Sequence, residues 1–154
     1  MKNLNLNLYF FFLFFFHESL SDHLIKSDKF ESFFVETALS TDEKSKGLMN
    51  VKSLDDSTGM IFIYKIPTKV NFWMHKTSLN LDIIFIDKDK KISSIKTGRP
   101  FSNEIISSEI PVIAVLEIPY NCSNKLGLKI GMLIEWIPFE SVQNKKKSNL
   151  CKKL

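Results

Sequence analysis

At 154 residues, 44% hydrophobic and 25% charged, the chain has material for one core and the composition of an ordinary soluble globular domain. Its formal charge of +4 belongs to the end of the chain. Five lysines and no acids follow Glu140, whereas fifteen cations and sixteen anions nearly cancel between Asp22 and Glu140. A neutral body with a basic tail does not fit a nucleic-acid-binding domain, which carries a basic face.

Residues 1–21 read as a signal peptide. Lys2 precedes an apolar run from Leu8 to Phe16, and Ser19 and Ser21 offer small residues at the −3 and −1 positions of a cleavage site. That run is too short to span the bilayer as a helix, which takes ~20 residues. The expected location is therefore outside the cytoplasm, in the periplasm, with an uncleaved membrane anchor as the alternative. Residues 22–29 are polar and read as a linker. "FESFFVETAL" (30–39) alternates as a strand does. Ser40 followed by Glu43 forms a capping box, and with Gly47 as the stop it predicts a short helix over 41–46. "SLDDSTG" (53–59) is a loop. From Gly59 onward the runs 60–66, 70–76, 81–87, 91–97, 111–118 and 132–139 are short, branched and aromatic, as strands are. Residues 98–110 look like a loop excursion. The segment 141–154 reads as a basic, disordered tail, with weak contact to anionic lipid as a further possibility.

This pattern predicts a mostly β (α+β) domain over 30–140, a small curled antiparallel sheet of barrel-like form with one or two short helices. Cys122 and Cys151 are too few for a disulfide framework, so both are read as free or joined in at most one bridge. The single arginine, Arg99, stands against twenty lysines, which leaves open whether its bidentate geometry is required there.

"KGLMNVKSL" (46–54), "GMIFIY" (59–64), "FWMHKTSLNLDIIFID" (72–87), "VLEIPY" (115–120) and "KIG" (129–131) together resemble the uncharacterised family called domain of unknown function 192 (DUF192). The resemblance covers roughly residues 30–138 and implies a small, largely β domain of the kind found in exported bacterial and archaeal proteins, with no established biochemical function. The chain departs from the usual pattern at Lys76 (commonly Asn), Asn80 (commonly Pro), Asn121 (commonly Gly) and Met132 (commonly Asp). Asn121 can still occupy a left-handed turn.

Asp82 interrupts an otherwise oily strand. Residues 82, 84 and 86 share one face and 81, 83 and 85 the other, and both faces are apolar apart from this carboxylate. A buried charge needs a partner, and Thr77, His75, Lys76, Arg99 or backbone amides are the candidates. A structural anchor and a functional carboxylate are both open. Glu117 ends a second apolar run and poses the same question. Trp73 lies across its strand from Phe72 and Met74, either as core or as a stacking surface. A lone His75 makes neither a metal site nor a triad, and no cofactor or metal ligand set is implied. The candidate ligand-binding patch is Trp73, His75, Lys76, Thr77 and Asp82, joined by Arg99 and Glu117. It suggests a non-enzymatic binding or accessory module of the cell envelope, whose partner is a small molecule, a glycan or an envelope protein. The alternative is a hydrolase acting on envelope polysaccharide, which would need the Asp82 and Glu117 carboxyls in one cleft.

Overall fold

The computed structural model describes residues 23–27, 32–54, 58–138 and 141. The expected signal peptide and, apart from Ser141, the expected basic tail lie outside them. Nine strands and two short helices follow in chain order: β1 (His23–Lys26), β2 (Phe33–Ala38), α1 (Thr41–Lys46), β3 (Met60–Thr68), β4 (Asn71–Phe72), β5 (Leu81–Ile86), β6 (Ile92–Gly98), β7 (Ile106–Ser107), β8 (Val112–Pro119), α2 (Cys122–Lys125) and β9 (Glu135–Pro138). The mostly β reading holds. Seven strands form one sheet in the order β6-β5-β8-β3-β2-β1-β9, and β4 pairs with β7 in a small separate ribbon.

The sheet is mixed, not wholly antiparallel, because β2 runs parallel to β3. Their connection, residues 39–59, carries α1 and is long enough for the crossover that a parallel pair requires. The sheet curls without closing. Its two edges come together at a single bridge, Lys91 to Leu133, supported by the Ile92 N–H to Met132 carbonyl bond and the Ile134 N–H to Lys90 carbonyl bond, both 2.9 Å.

Three local expectations need correction. Apart from Ser27, the rest of the expected linker 22–29 lies outside the described residues, but His23–Lys26 within it form strand β1, which pairs antiparallel with both β2 and β9. Its inward positions are His23 and Ile25. The histidine hides the strand in the sequence but is satisfied by the Thr37 hydroxyl at 2.7 Å. The strand expected over 70–76 stops at Phe72 and the chain turns at His75 and Lys76, although Phe72 and Met74 are buried and Trp73 exposed as the alternation requires. The excursion 98–110 includes β7, which pairs with β4.

Helix α1 forms as its sequence dictates. The Ser40 hydroxyl accepts from the Glu43 N–H at 3.2 Å, and the Glu43 carboxylate accepts from the Ser40 and Leu39 N–H groups at 2.7 and 2.8 Å. Those backbone bonds hold the Glu43 carboxyl below its ordinary pKa. Apolar side chains fill both sides of the sheet. On one side Ile84, Ile86, Leu116 and Ile118 pack with Leu126 and Leu128 after α2. On the other, Ile83, Phe85 and Val115 pack with Leu48, Val70, Phe72 and Met74. Strand β5, buried at every position, separates the two. None of the described helices is long and apolar enough to cross a membrane.

Candidate functional site

The register of β5 and β8 decides where the two carboxyls go. Asp82 pairs with Ile118 and Ile83 with Glu117. Directly paired residues share a face and successive ones alternate, so Asp82 and Glu117 lie on opposite faces of the sheet. They do not line one cleft, and the arrangement that a two-carboxylate glycosidase needs is not formed by this pair.

Asp82 sits on the α2 side. Its Oδ2 accepts from the Ser123 N–H at 2.8 Å, and none of Thr77, His75, Lys76 or Arg99 supplies its partner. The carboxylate reaches across from β5 to the first turn of α2, whose entry is made by Asn121 in the left-handed region at φ 66°. The left-handed capacity expected of Asn121 is thus used. Asp82 is a tie between β5 and the short helix that covers this face.

Glu117 faces the other way, into a cavity of about 570 Å³, within the usual range for small-molecule sites. Helix α1 and the turn after it form one wall, with Lys44, Lys46, Gly47 and Met49. Phe62 and Tyr64 of β3 form a second, and Val70, Phe72, Trp73, Met74 and Thr77 a third. Phe62 and Phe72 meet edge to face with centroids 4.9 Å apart, which stiffens this wall. Gly47, at φ +47°, ends α1 against the Phe62 ring, where an added Cβ would lie 3.3 Å from Cζ. Gly59 lets β3 start directly against β8; a Cβ there would stand 2.3 Å from the Glu117 carbonyl oxygen.

The Glu117 side chain is 5% exposed and makes no hydrogen bond or ion pair with another described residue. Burial pushes its carboxyl up to about 8, because the ionised form has lost water without gaining a donor. Beside it, burial and then the Glu117 charge push the Tyr64 hydroxyl up to about 12. Lys44 lies 4.9 Å over the Tyr64 ring and donates to the Leu39 carbonyl. Partial burial lowers its pKa, with Lys65 acting in the same direction and Glu43 against it.

The remaining residues of the expected patch separate. Trp73 and Thr77 line the cavity. Thr77 is buried and works mainly as a brace, its hydroxyl donating to the His75 carbonyl at 3.2 Å while its own carbonyl accepts from the Phe101 N–H at 2.9 Å. His75 stacks on Trp73 with centroids 5.0 Å apart. Lys76 takes the left-handed region at φ 53°, and its carbonyl accepts from the Asn50 N–H at 2.9 Å. Arg99 lies on an exposed turn beside a separate hollow with Lys96, Ser102 and Glu104. The cavity's α1 wall, with Lys44 and Met49, and the ring of Tyr64 on β3 carry no mark in the sequence as site residues. The capping box and the Gly-Leu-Met run marked the segment, but only the β2–α1–β3 crossover brings it over Glu117. Cys122 is disulfide-bonded, so the free reading does not hold for it; Cys151 lies outside the described residues.

These features define a small α+β domain with a curled mixed sheet and a ligand-sized cavity on one face. The chain belongs to the uncharacterised family DUF192 (Uncharacterized ACR), whose model matches residues 23–136. Among solved structures it is similar to a protein of unknown function from Novosphingobium aromaticivorans, with 32% identity and a TM-score of 0.68 over 75% of this chain and 84% of that one. It is also similar to a protein from Sinorhizobium meliloti named as a candidate transcription regulator, with 29% identity and a TM-score of 0.69 over 75% of this chain and 92% of that one. No functionally curated protein matches it.

Proposed function

We propose that this domain is an exported, non-enzymatic binding module of the cell envelope, and that its ligand is a small molecule held in the Glu117 cavity. One observation carries the reading: a carboxyl that is almost wholly buried, with no hydrogen-bond or ion-pair partner among the described residues, opens into a space of ligand size. An unpartnered buried acid costs the fold free energy, and such a group is retained where a bound molecule supplies what the protein withholds. Export is supported by the apolar run Leu8–Phe16 behind Lys2. It is supported further by the disulfide-bonded state of Cys122, since such bonds persist in oxidising compartments.

Ligand-observed NMR with a library of small polar and aromatic fragments against the whole chain tests the binding reading. Ser45, exposed on α1 at the cavity mouth, provides the control, because Ser45→Trp puts an indole across the opening without touching the core. Hits that disappear with Ser45→Trp support the site. A library without hits, or hits indifferent to that substitution, would remove it.

A further inference from the structure

The ligand that would satisfy Glu117 can be narrowed by the chemistry of the walls, on the reading that the cavity is the ligand site. Four aromatic side chains, Phe62, Tyr64, Phe72 and Trp73, line it together with Glu117, its one acid among the described residues. Aromatic faces carry negative charge density and attract cations. A cation is already seated on one of them, the Lys44 ammonium 4.9 Å over the Tyr64 ring. A neutral ligand needing only one hydrogen bond would be served as well by a glutamine, which has no ionisation to suppress. A carboxyl among aromatic rings is the arrangement that gains most from a positive group.

We infer that the cavity binds a small molecule bearing a protonated amine, with the ammonium against the Glu117 carboxylate and an apolar body along Phe72, Trp73 and Met74. The rim sets a further limit. Lys44 and Lys46 stand at the α1 side of the opening, so a second positive charge on the ligand is disfavoured and the fitting class is a monoamine with an apolar or aromatic body.

Proton balance follows from the unliganded state. Glu117 holds its proton up to about 8, so below that an ammonium ligand binds as the carboxyl ionises, and one proton leaves to solvent. The ammonium keeps its own protons throughout. Among the described residues, the other titratable groups around the cavity are Tyr64 on β3 and Lys44 and Lys46 on α1. Beneath Glu117, β5 offers only Ile83 and β3 only Met60. Tyr64, pushed up to about 12, does not ionise in the same window.

The test compares three probes of similar shape against the whole chain: 2-phenylethylamine, 2-phenylethanol and 3-phenylpropionate, with affinities from calorimetry between pH 5.5 and 8.5. The expected result is that the amine binds at least tenfold more tightly than the alcohol at pH 8.5. Its affinity should rise about tenfold per pH unit until Glu117 is ionised, with close to one proton released at pH 6 when buffers of different ionisation heat are compared. Glu117→Gln should flatten that dependence, and Trp73→Ala, at an exposed wall position, should weaken the amine severalfold without altering its pH profile. The alcohol or the propionate binding as tightly as the amine, in a manner that Ser45→Trp abolishes, overturns the ammonium inference and leaves the cavity as the ligand site. An amine affinity independent of pH also overturns it. Amine binding that Ser45→Trp leaves intact overturns both.

Discussion

Asp82 and Glu117 are buried to nearly the same depth, 4% and 5% exposed, on adjacent strands one register step apart. They differ in what their faces contain. On the Asp82 face a four-residue helix brings the Ser123 N–H to 2.8 Å, so the charge is spent on holding α2 against the sheet. On the Glu117 face α1 stands across a cavity instead, and no group of the described residues closes on the acid. Burial alone therefore does not separate a structural carboxylate from a candidate ligand group. The presence of a donor does, and it depends on which side of the sheet the register selects.

The largest expected effect lies on the Glu117 side. In the unfolded chain this carboxyl ionises near its ordinary value of 4.5; in the folded one it does so at about 8. Between those values the unfolded state holds fewer protons, so stability falls as pH rises. The slope approaches 1.4 kcal/mol per pH unit at full separation, or about 4–5 kcal/mol across the window. Urea unfolding at steps from pH 5 to pH 8 should show that decline, and Glu117→Gln should abolish most of it and leave the protein more stable at pH 8. A stability that holds level or rises over this range would mean Glu117 finds a donor, and the contrast between the two faces would collapse.

Asp82 should behave in the opposite sense. Asp82→Ala leaves the Ser123 N–H without its acceptor beneath packed side chains, and losing a hydrogen bond to a charged group costs about 2–3 kcal/mol. Asp82→Asn retains an acceptor oxygen and should lose less than half as much. Both are read from urea midpoints at pH 7. An Asp82→Ala protein as stable as the unaltered one would show that α2 is held without the Asp82 bond, and would reopen a ligand role for Asp82.

How much of this was legible depends on the kind of signal each feature carries. The need for a partner at Asp82 was plain, because "LDIIFID" is apolar on both faces. The partner was not, because it is a backbone amide 41 positions away, and an amide has no residue-type signature. Glu117 stood out as an acid ending an apolar run, but its separation from Asp82 required the β5–β8 register. Arg99 drew attention by its rarity, yet rarity carries no geometry, and it lies on an exposed turn that lines a different hollow. Trp73 and Thr77 entered the reading as neighbours of Asp82 in sequence, yet they line the cavity on the Glu117 face, because sequence adjacency does not say on which side of a sheet a loop folds. The α1 wall was missed because a parallel β2–β3 pair places it there, and nothing local distinguishes parallel from antiparallel pairing in strands this short.

The smallest expected effect tests how independent the two faces are. Helix α1 buries none of its residues, so its order rests on the capping box between Ser40 and Glu43 and not on packing. Ser40→Ala removes one half of that box and should cost about 1 kcal/mol, close to the resolution of a urea midpoint. Amide hydrogen exchange is the sharper measurement. Exchange over residues 41–49 should quicken by roughly the fivefold that corresponds to 1 kcal/mol, while the α2 amides, tied through Asp82 on the far face, keep their rates. If both helices loosened together, the sheet would be transmitting the change, and Glu117 would owe its freedom to the whole fold. If only α1 loosens, that freedom has a local origin. The helix over the cavity is held by its own cap and has no need of the acid beneath it, whereas α2 draws on Asp82 for a bond that its own N-cap, Asn121, does not make.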